Sequence, residues 1–490
     1  MAKSSPWTAD LSSFLDDHEI IQPDSQRYKE ETKTWAAQRH LSPKLLLRPQ
    51  SVEQLARALA YLNDTELDFA VRSGGVGSSS AKDVLISLGA FDGFEHDPAA
   101  ETITVGAGQT WGEVDEKLEE AAPGYAALSA RCTFVGVGGS VVSGGISWAS
   151  SEFGMTSDPH NMLDAQVVTM DGRVLWASQE PDLLWALRGG GGGFGVVTAF
   201  KLKIHKYTND IYSGNIIIPN EALPELARAV AAFTRRTQDP KIAMHLFCLD
   251  LAHAALSGQD PKPGIMIVVY DANGEAHGRS ADGFGWALDM PGIIDNTRTM
   301  TYVEANQQQD NLRVAMGVTN SWMSAPTIPH THLTDSLILR AWAWFNNLLE
   351  QDPRQSAGAF VLLEIMQPPA FSSTASPEAT AWPRRPNRHI LQLGTGSFPG
   401  SNSTESESHS DSRRRSQSQS QSQSQSDALS IAALASAPFE IHTVHTPADY
   451  LPSFIESFND VEAIYGANYA KLKAVKRRYD PRGRLGGHFT

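Results

Sequence analysis

The chain has 490 residues, with 40 Lys plus Arg against 55 Asp plus Glu, a formal charge of −15. At roughly 150 residues per domain this gives about three compact units, or two large ones, enough to bury sizeable cores. Such an acidic balance repels phosphate backbones and anionic lipid, so nucleic acid and membrane surfaces are set aside and small molecules are the expected ligands.

The two cysteines, Cys132 and Cys248, have no His or Cys at metal spacing around them, so neither a disulfide framework nor a metal site is expected. The first residues are polar, with no apolar core of the signal-peptide kind, and nowhere do 18 apolar residues follow one another. The expected location is cytoplasmic, with secretion the alternative if a leading segment is missing.

In chain order, residues 1–40 read as a mixed polar extension, helical in part. KLLLRPQSVEQLARALAYLNDTELDFAVRSGG (44–75) then reads as strand, helix and strand, with Ser51 as N-cap and Gln54 three residues on, and delivers a glycine loop. Strands are expected at 83–88 and 102–108, and a helix near 111–122. VGVGGSVVSGGISW (135–148) has too many glycines for a regular element and too many apolar residues for a solvated linker. Residues 165–177 read as a hairpin turning at Asp171-Gly172; a helix, the loop GGGGGFG (189–195) and a strand follow. From about 210, strands at 212–218, 243–251, 264–270, 359–366 and 389–394 alternate with amphipathic helices at 221–236 and 335–350, which suits an antiparallel sheet covered by helices. Residues 401–427, rich in Ser and Gln with no aliphatic or aromatic side chain, read as a disordered insertion. The remaining chain is helical, stopping at Asp480-Pro481.

Glycine loops invite nucleotide-binding readings, and their order restricts them. GGGGGFG follows a helix and precedes a strand, the reverse of a Rossmann loop. RSGGVGSSS (72–80) follows a strand but lacks the Walker Lys-Ser/Thr, and no GxSxG or HExxH occurs. What RSGGVGSSS offers is a run of backbone N–H groups unobstructed by side chains, plus hydroxyls, the equipment for cradling a diphosphate.

Taken together, AVRSGGVGSSS, CTFVGVGGSVVSGGISW (132–148), FGMTSDPHNMLDAQVVTMDG (153–172), DLLWALRGGGGGFGVVTAF (182–200) and YGANYAKLKAVKRRYDP (465–481) stand in one family's order. The chain resembles the berberine bridge enzyme-like, FAD-linked oxidoreductases of the vanillyl-alcohol oxidase superfamily, of fungal type. The resemblance implies an α+β fold: a PCMH-type FAD-binding domain of two α+β lobes (41–210) completed by a returning segment (446–490), with a substrate domain between (211–445) whose antiparallel sheet lies over the flavin ring. It further implies that Ser73, Gly74, Gly75, Val76, Gly77 and Ser78 hold the pyrophosphate. Gly138, Gly139, Gly144, Gly145 and Ile146 would line the dinucleotide, with Gly154, Asp158 and Val197 at the adenosine or ring end, and Asn468 would supply a later flavin contact.

Departures from the family pattern carry information. Its usual RSGGH histidine, which bonds the flavin 8α carbon, is Val76 here, so that tether cannot form. Cys132 stands where the second tether of bicovalent members stands, either bonded to flavin C6 or a free thiol packed by the ring. Val135, three residues on, stands at the edge where oxygen arrives in that family. For chemistry, Glu364 is an isolated carboxylate in the apolar strand AFVLLEIM, where burial raises its pKa and suits it to act as a general base unless it faces solvent. Gln392 is a polar neighbour candidate, and Tyr465 or Tyr469 are donors near the flavin or packing residues. The expected function is oxidation of a small organic molecule by FAD with O2 as acceptor, as alcohol or amine oxidation or oxidative cyclisation in secondary metabolism. A dehydrogenase using another acceptor and a non-redox cyclase or binding scaffold are the alternatives.

Overall fold

The structure is a computed structural model that describes residues 6–251, 262–371, 376–399 and 412–489. In the first lobe, β1 (Ile20–Ile21) pairs antiparallel with β2 (Leu45–Leu47), helix α1 (Val52–Asn63) crosses over, and β3 (Phe69–Arg72) and β4 (Val84–Ser87) complete a sheet of order β1-β2-β4-β3. All three leucines of β2 are buried because the strand has neighbours on both sides. The Ser51 hydroxyl accepts from the Gln54 amide and the Gln54 side chain reaches back to the Ser51 N–H, a capping box of the kind that stabilises a helix start by about 1 kcal/mol. Residues 1–40 are therefore not only an extension: Ile20 and Ile21 are an edge strand of the first sheet.

The second lobe holds β5 (Phe94–Asp97), β6 (Thr102–Gly106), helix α2 (Trp111–Ala121), β7 (Tyr125–Ala126), helix α3 (Val137–Val142), β8 (Met162–Val168), β9 (Val174–Trp176) and β10 (Val196–Lys203). Its sheet runs β5-β6-β10-β8-β9, every pair antiparallel. The β8–β9 hairpin turns at Gly172, whose φ of 80° is the left-handed conformation that Asp-Gly favours. Helix α3 lies inside the glycine-rich stretch where no regular element was expected. Its entry residue Gly136 abuts Gly74, and a Cβ on Gly136 would sit 2.3 Å from the Gly74 nitrogen.

The intervening chain starts with β11 (His205–Lys206), paired with β7, and then builds one large antiparallel sheet. Its strands are β12 (Ile211–Ile218), β13 (Ile242–Asp250), β14 (Pro263–Asp271), β15 (Ile294–Asp295), β16 (Arg298–Met300), β17 (Asn320–Ser324), β18 (Thr327–Pro329), β19 (Phe360–Ile365) and β20 (Arg388–Ser397). The order is β15-β12-β14-β13-β19-β20-β17, with β16 on β12 and β18 on β20. Strand alternation sorts the two faces. Met244, Leu246, Cys248, Val361, Leu363, Leu391 and Leu393 enter a core with helices α4 (Leu223–Arg236), α6 (Asp335–Gln351) and α7 (Ser412–Ile441). Ala243, Phe247, Val268, Tyr270 and Leu362 face the first two lobes, packing with Leu128, Trp148 and Tyr302 of helix α5 (Tyr302–Gln307).

Helix α7 corrects the reading of 401–427 as disordered. Residues 401–411 lie outside the described residues, but from Ser412 the backbone is helical. Ser426 is buried and its hydroxyl donates to Asp352 at 2.7 Å, while Gln355 donates to the Ser426 carbonyl and hydroxyl and accepts from Ser430 and the Gly396 N–H. The tract docks through hydrogen bonds, with Leu434, Ala437 and Ile441 supplying the apolar anchor further along the helix.

The segment after Tyr450 returns to the first lobes, ending in helix α8 (Tyr469–Tyr479). Buried Lys476 donates to the carbonyls of Gly193 at 2.9 Å and Leu485 at 2.7 Å and to Asp480 at 2.7 Å, pinning GGGGGFG from below. Arg484 donates to the Leu62 and Leu67 carbonyls at the end of α1.

Candidate functional site

Two loops meet backbone to backbone at the junction of the two lobes. The Ser73 hydroxyl donates to the Ala107 carbonyl at 2.7 Å and accepts from the Gly138 N–H at 3.2 Å, tying the loop after β3 to the start of α3. Arg72 wraps beneath, donating to the Lys33 and Gly74 carbonyls, and a Cβ on Gly75 (φ 85°) would strike its guanidinium at 2.4 Å. Ser78 is turned inward to cap the Ala36 N–H at 3.0 Å. That leaves the amides of Gly74, Gly75, Val76, Gly77 and Gly139 without a protein acceptor among the described residues, and Cβ positions on Gly77 and Gly139 would meet nothing within 4 Å. Amides without acceptors next to the open space at Gly77 and Gly139 are what a diphosphate requires, so this part of the loop pair fits FAD.

The other expected cofactor residues divide. Gly144 and Gly145 hold positive φ, and a Cβ on either would collide with Met155 or Thr156, so they serve the turn that closes α3. Ile146 is half-buried against the same core, Val197 lies within it, and Gly154 ends a short helix at φ 83°. Asp158 is fully buried; Arg384 donates to its Oδ1 from Nε at 2.9 Å and Nη2 at 2.5 Å. Its carboxylate is thus a structural counter-charge. Asn468 spends its amide donors on the Thr380 and Ala381 carbonyls.

The catalytic candidates separate in the same way. Glu364 and Gln392 share the inward face of adjacent strands: Leu362 is the register partner of Gln392 and Ile390 that of Glu364. Glu364 is 1% exposed, so it does not face solvent. Tyr465 is not with them; it lies in the core of the first lobes and donates to the Gly189 carbonyl at 3.1 Å. Tyr469 packs at the edge of the same core.

Two residues that sequence reasoning missed complete the inner face. Arg131 reaches from the FAD-type lobe to Glu364, its Nη2 donating to Oε1 at 3.0 Å and its Nη1 meeting Oε2. Burial pushes the Glu364 carboxyl up from its usual range, and the Arg131 charge only partly offsets that. His245, opposite Glu364 in the β13–β19 ladder, packs at a tilt of 32° against Trp148 with ring centroids 4.2 Å apart. Gln309 donates to its Nδ1 at 3.2 Å, while its buried Nε2 has no partner among the described residues. Burial, with Arg131 nearby, drives its pKa well below the ordinary value, so the ring is neutral. Each had a signal: Arg131 is the one charge in AALSARCTFVGVGG, and His245 the one imidazole in the apolar run AMHLFCL. Next to Arg131, Cys132 is half-buried and burial raises its thiol to about 12, so it is protonated. Val135 is partly buried, its carbonyl fixed by the Trp111 N–H at 2.9 Å.

Comparison with known proteins agrees with this layout at both ends of the chain. Residues 43–178 match the family described as FAD binding domain, and residues 450–484 match the family described as Berberine and berberine like. Over these two segments the chain is similar to FAD-binding and berberine bridge enzyme-like proteins. Among curated relatives it is 28% identical over 236 residues to an uncharacterized FAD-linked oxidoreductase of Arthroderma benhamiae, covering 46% of each chain. It is 29% identical over 205 residues to the (R)-6-hydroxynicotine oxidase of Paenarthrobacter nicotinovorans, covering 40% of this chain and 44% of the other. The match thus spans about half the length of these curated relatives. The solved structure of a xylooligosaccharide oxidase from Myceliophthora thermophila C1 superposes with a TM-score of 0.76 over 99% of both chains at 16% identity, which establishes the shared fold.

Proposed function

We propose that the chain is an FAD-dependent oxidase that removes a hydride and a proton from a small organic molecule and passes the electrons to O2. One observation carries the reading: Glu364, from the substrate-side sheet, is held by Arg131, the residue beside Cys132 on the FAD side.

When bound, FAD supplies the hydride acceptor, its N5 atom. The amides of residues 74–77 and 139 bind the diphosphate, and Ser73 holds the two loops in register. With Val76 in place of a histidine, only Cys132 could tether the flavin, and its protonated thiol leaves the cofactor non-covalent. Glu364 accepts the substrate O–H or N–H proton: burial gives it the basicity, and Arg131 fixes its orientation. Gln392 and neutral His245 orient the substrate by hydrogen bonds. Val135, one methylene shorter than Ile, leaves space for O2, which takes two electrons and two protons to form hydrogen peroxide.

The test is the visible spectrum of purified protein, followed by anaerobic incubation with a panel of alcohols, amines and phenols. A yellow protein that bleaches with substrate and releases peroxide on aeration supports the reading. Bleaching with slow reoxidation in air favours a dehydrogenase, and an unchanged spectrum with a turned-over substrate favours non-redox chemistry.

A further inference from the structure

The loop 127–133, which carries Arg131 and Cys132, belongs to no strand or helix. Much of its hold comes from a single stretch of the substrate-side domain, residues 302–310. Tyr302 donates its hydroxyl to the Ala127 carbonyl at 2.9 Å, Asn306 donates to the Ser129 hydroxyl at 2.9 Å, and Asp310 accepts from the Thr133 N–H at 2.9 Å and from its hydroxyl. Between them Gln309 fixes His245, so one stretch grips both sides of the candidate site.

This stretch is anchored in turn at Asp115 of α2. Asn306 Nδ2 donates to Asp115 Oδ2 at 2.9 Å as well as to Ser129, and both Asp115 and Asn306 are buried. Asp115 Oδ1 and Asn306 Oδ1 are both buried without a hydrogen-bond partner among the described residues. Two unsatisfied acceptor oxygens in one network require a donor, and a single proton on Asp115 converts one of them into a hydroxyl. The charged neighbours reinforce this. Glu116 and Glu119 on α2 are like charges, while Tyr125 of β7 and Tyr302 of α5 line the same recess as neutral phenols. A surface recess lined by Glu119, Tyr125, Asn209 and Tyr302 reaches Asp115 and gives the proton a path to water.

We propose that Asp115 is a protonated carboxyl whose pairing with Asn306 makes residues 302–310 the positioning element of the Arg131–Cys132 loop, engaged while the proton is held and loosened when it leaves to solvent. Ionisation places a negative charge in a buried network where no cation among the described residues offsets it; the Asn306 amide still donates to the carboxylate, but hydration of the charge requires the packing of α2 against 302–310 to open. Burial raises Asp115 to about 7, against the pull of the Asn306 amide and the Ser129 hydroxyl, so the change falls near neutral pH. The role of the loop in catalysis rests on the oxidase reading; its positioning does not.

The experiment is hydrogen–deuterium exchange by mass spectrometry on the holoprotein at about pH 6 and about pH 8, corrected for the intrinsic exchange rate. Peptides from α6 serve as internal reference. Wild-type protein should exchange residues 127–133 several-fold faster at the higher pH, α6 being unchanged. Asp115→Asn, which keeps the shape of the protonated carboxyl, should show no such step, and Asn306→Ala should expose 127–133 at both pH values. Equal corrected exchange of 127–133 at the two pH values in wild-type protein would overturn the proposal, whether or not the variants fold. A step that persists in Asp115→Asn would overturn it as well. Colourless protein that keeps the step would sink the oxidase reading and leave this one standing.

Discussion

At the scale of single residues, the buried Arg131–Glu364 pair makes the sharpest predictions. Glu364→Gln removes the base while keeping a hydrogen-bonding side chain, and kcat/KM should fall about 10²- to 10⁴-fold in steady-state assays. Because Glu364 must be ionised to accept a proton, activity is lost as pH falls through its raised pKa. Arg131→Met removes the opposing cation, so the acidic limb of the pH–activity profile should move to higher pH; an unmoved limb would mean that another group is the base. For the neighbouring thiol, the wild-type protein should release FAD into the supernatant on acid precipitation. Yellow precipitate, with release restored by Cys132→Ala, would instead establish a C6 tether. Val135→Ile should slow reoxidation of the reduced protein in stopped-flow mixing with oxygenated buffer.

At the scale of elements, Gln355 carries the docking of α7. Its amide satisfies Ser426, Ser430 and the Gly396 N–H in a fully buried position. Gln355→Ala should cost on the order of 3 kcal/mol in urea unfolding, since buried polar groups lose partners they cannot replace with water. A loss under about 0.5 kcal/mol would mean that α7 is held by its apolar turns alone. This element was also where composition misled. A Ser/Gln tract lacks the apolar side chains whose burial is readable in sequence, and the partners that hold it, Asp352 and Gln355, lie some 70 residues earlier. Local signals were dependable where capping and turn chemistry decided the outcome, as at Ser51–Gln54 and Asp171-Gly172. The close backbone approach of the glycine loops was legible for the same reason: backbone freedom is written in the residue type. Arg131 and His245 were not, because their role comes from the β13–β19 register and from a contact between domains, neither of which has local periodicity.

Across the whole molecule, a group of histidines joins the substrate sheet to the returning segment. His332 Nδ1 lies 3.0 Å from His442 Nε2, His330 stacks on His389 with centroids 4.0 Å apart, and His445 packs against Tyr450 at 4.9 Å. Burial lowers His442 and His445 to about 4 from the ordinary 6.5 of a free imidazole. The folded protein therefore binds fewer protons than the unfolded chain between these values, and this contribution to stability is full above about 6.5 and is lost as pH falls towards about 4. The melting temperature should drop over that window, and His445→Phe should blunt the drop; an unchanged slope would assign the acid sensitivity elsewhere. The return of the last segment to the first lobes, with one large antiparallel sheet in between, was legible from motif order. The edge strand at Ile20–Ile21 was not, since two residues leave no alternation to detect.

The contacts of Lys476 with Gly193 and of Arg484 with Leu62 and Leu67 set a timetable for biosynthesis. About 250 residues separate β10 from the segment that braces it, and at about 5–20 residues per second a ribosome takes roughly 12–50 s to make them. Through that interval the nascent lobes carry the GGGGGFG loop and the end of α1 without their braces, so the paired lobes reach their full hold only once the returning helix has left the exit tunnel.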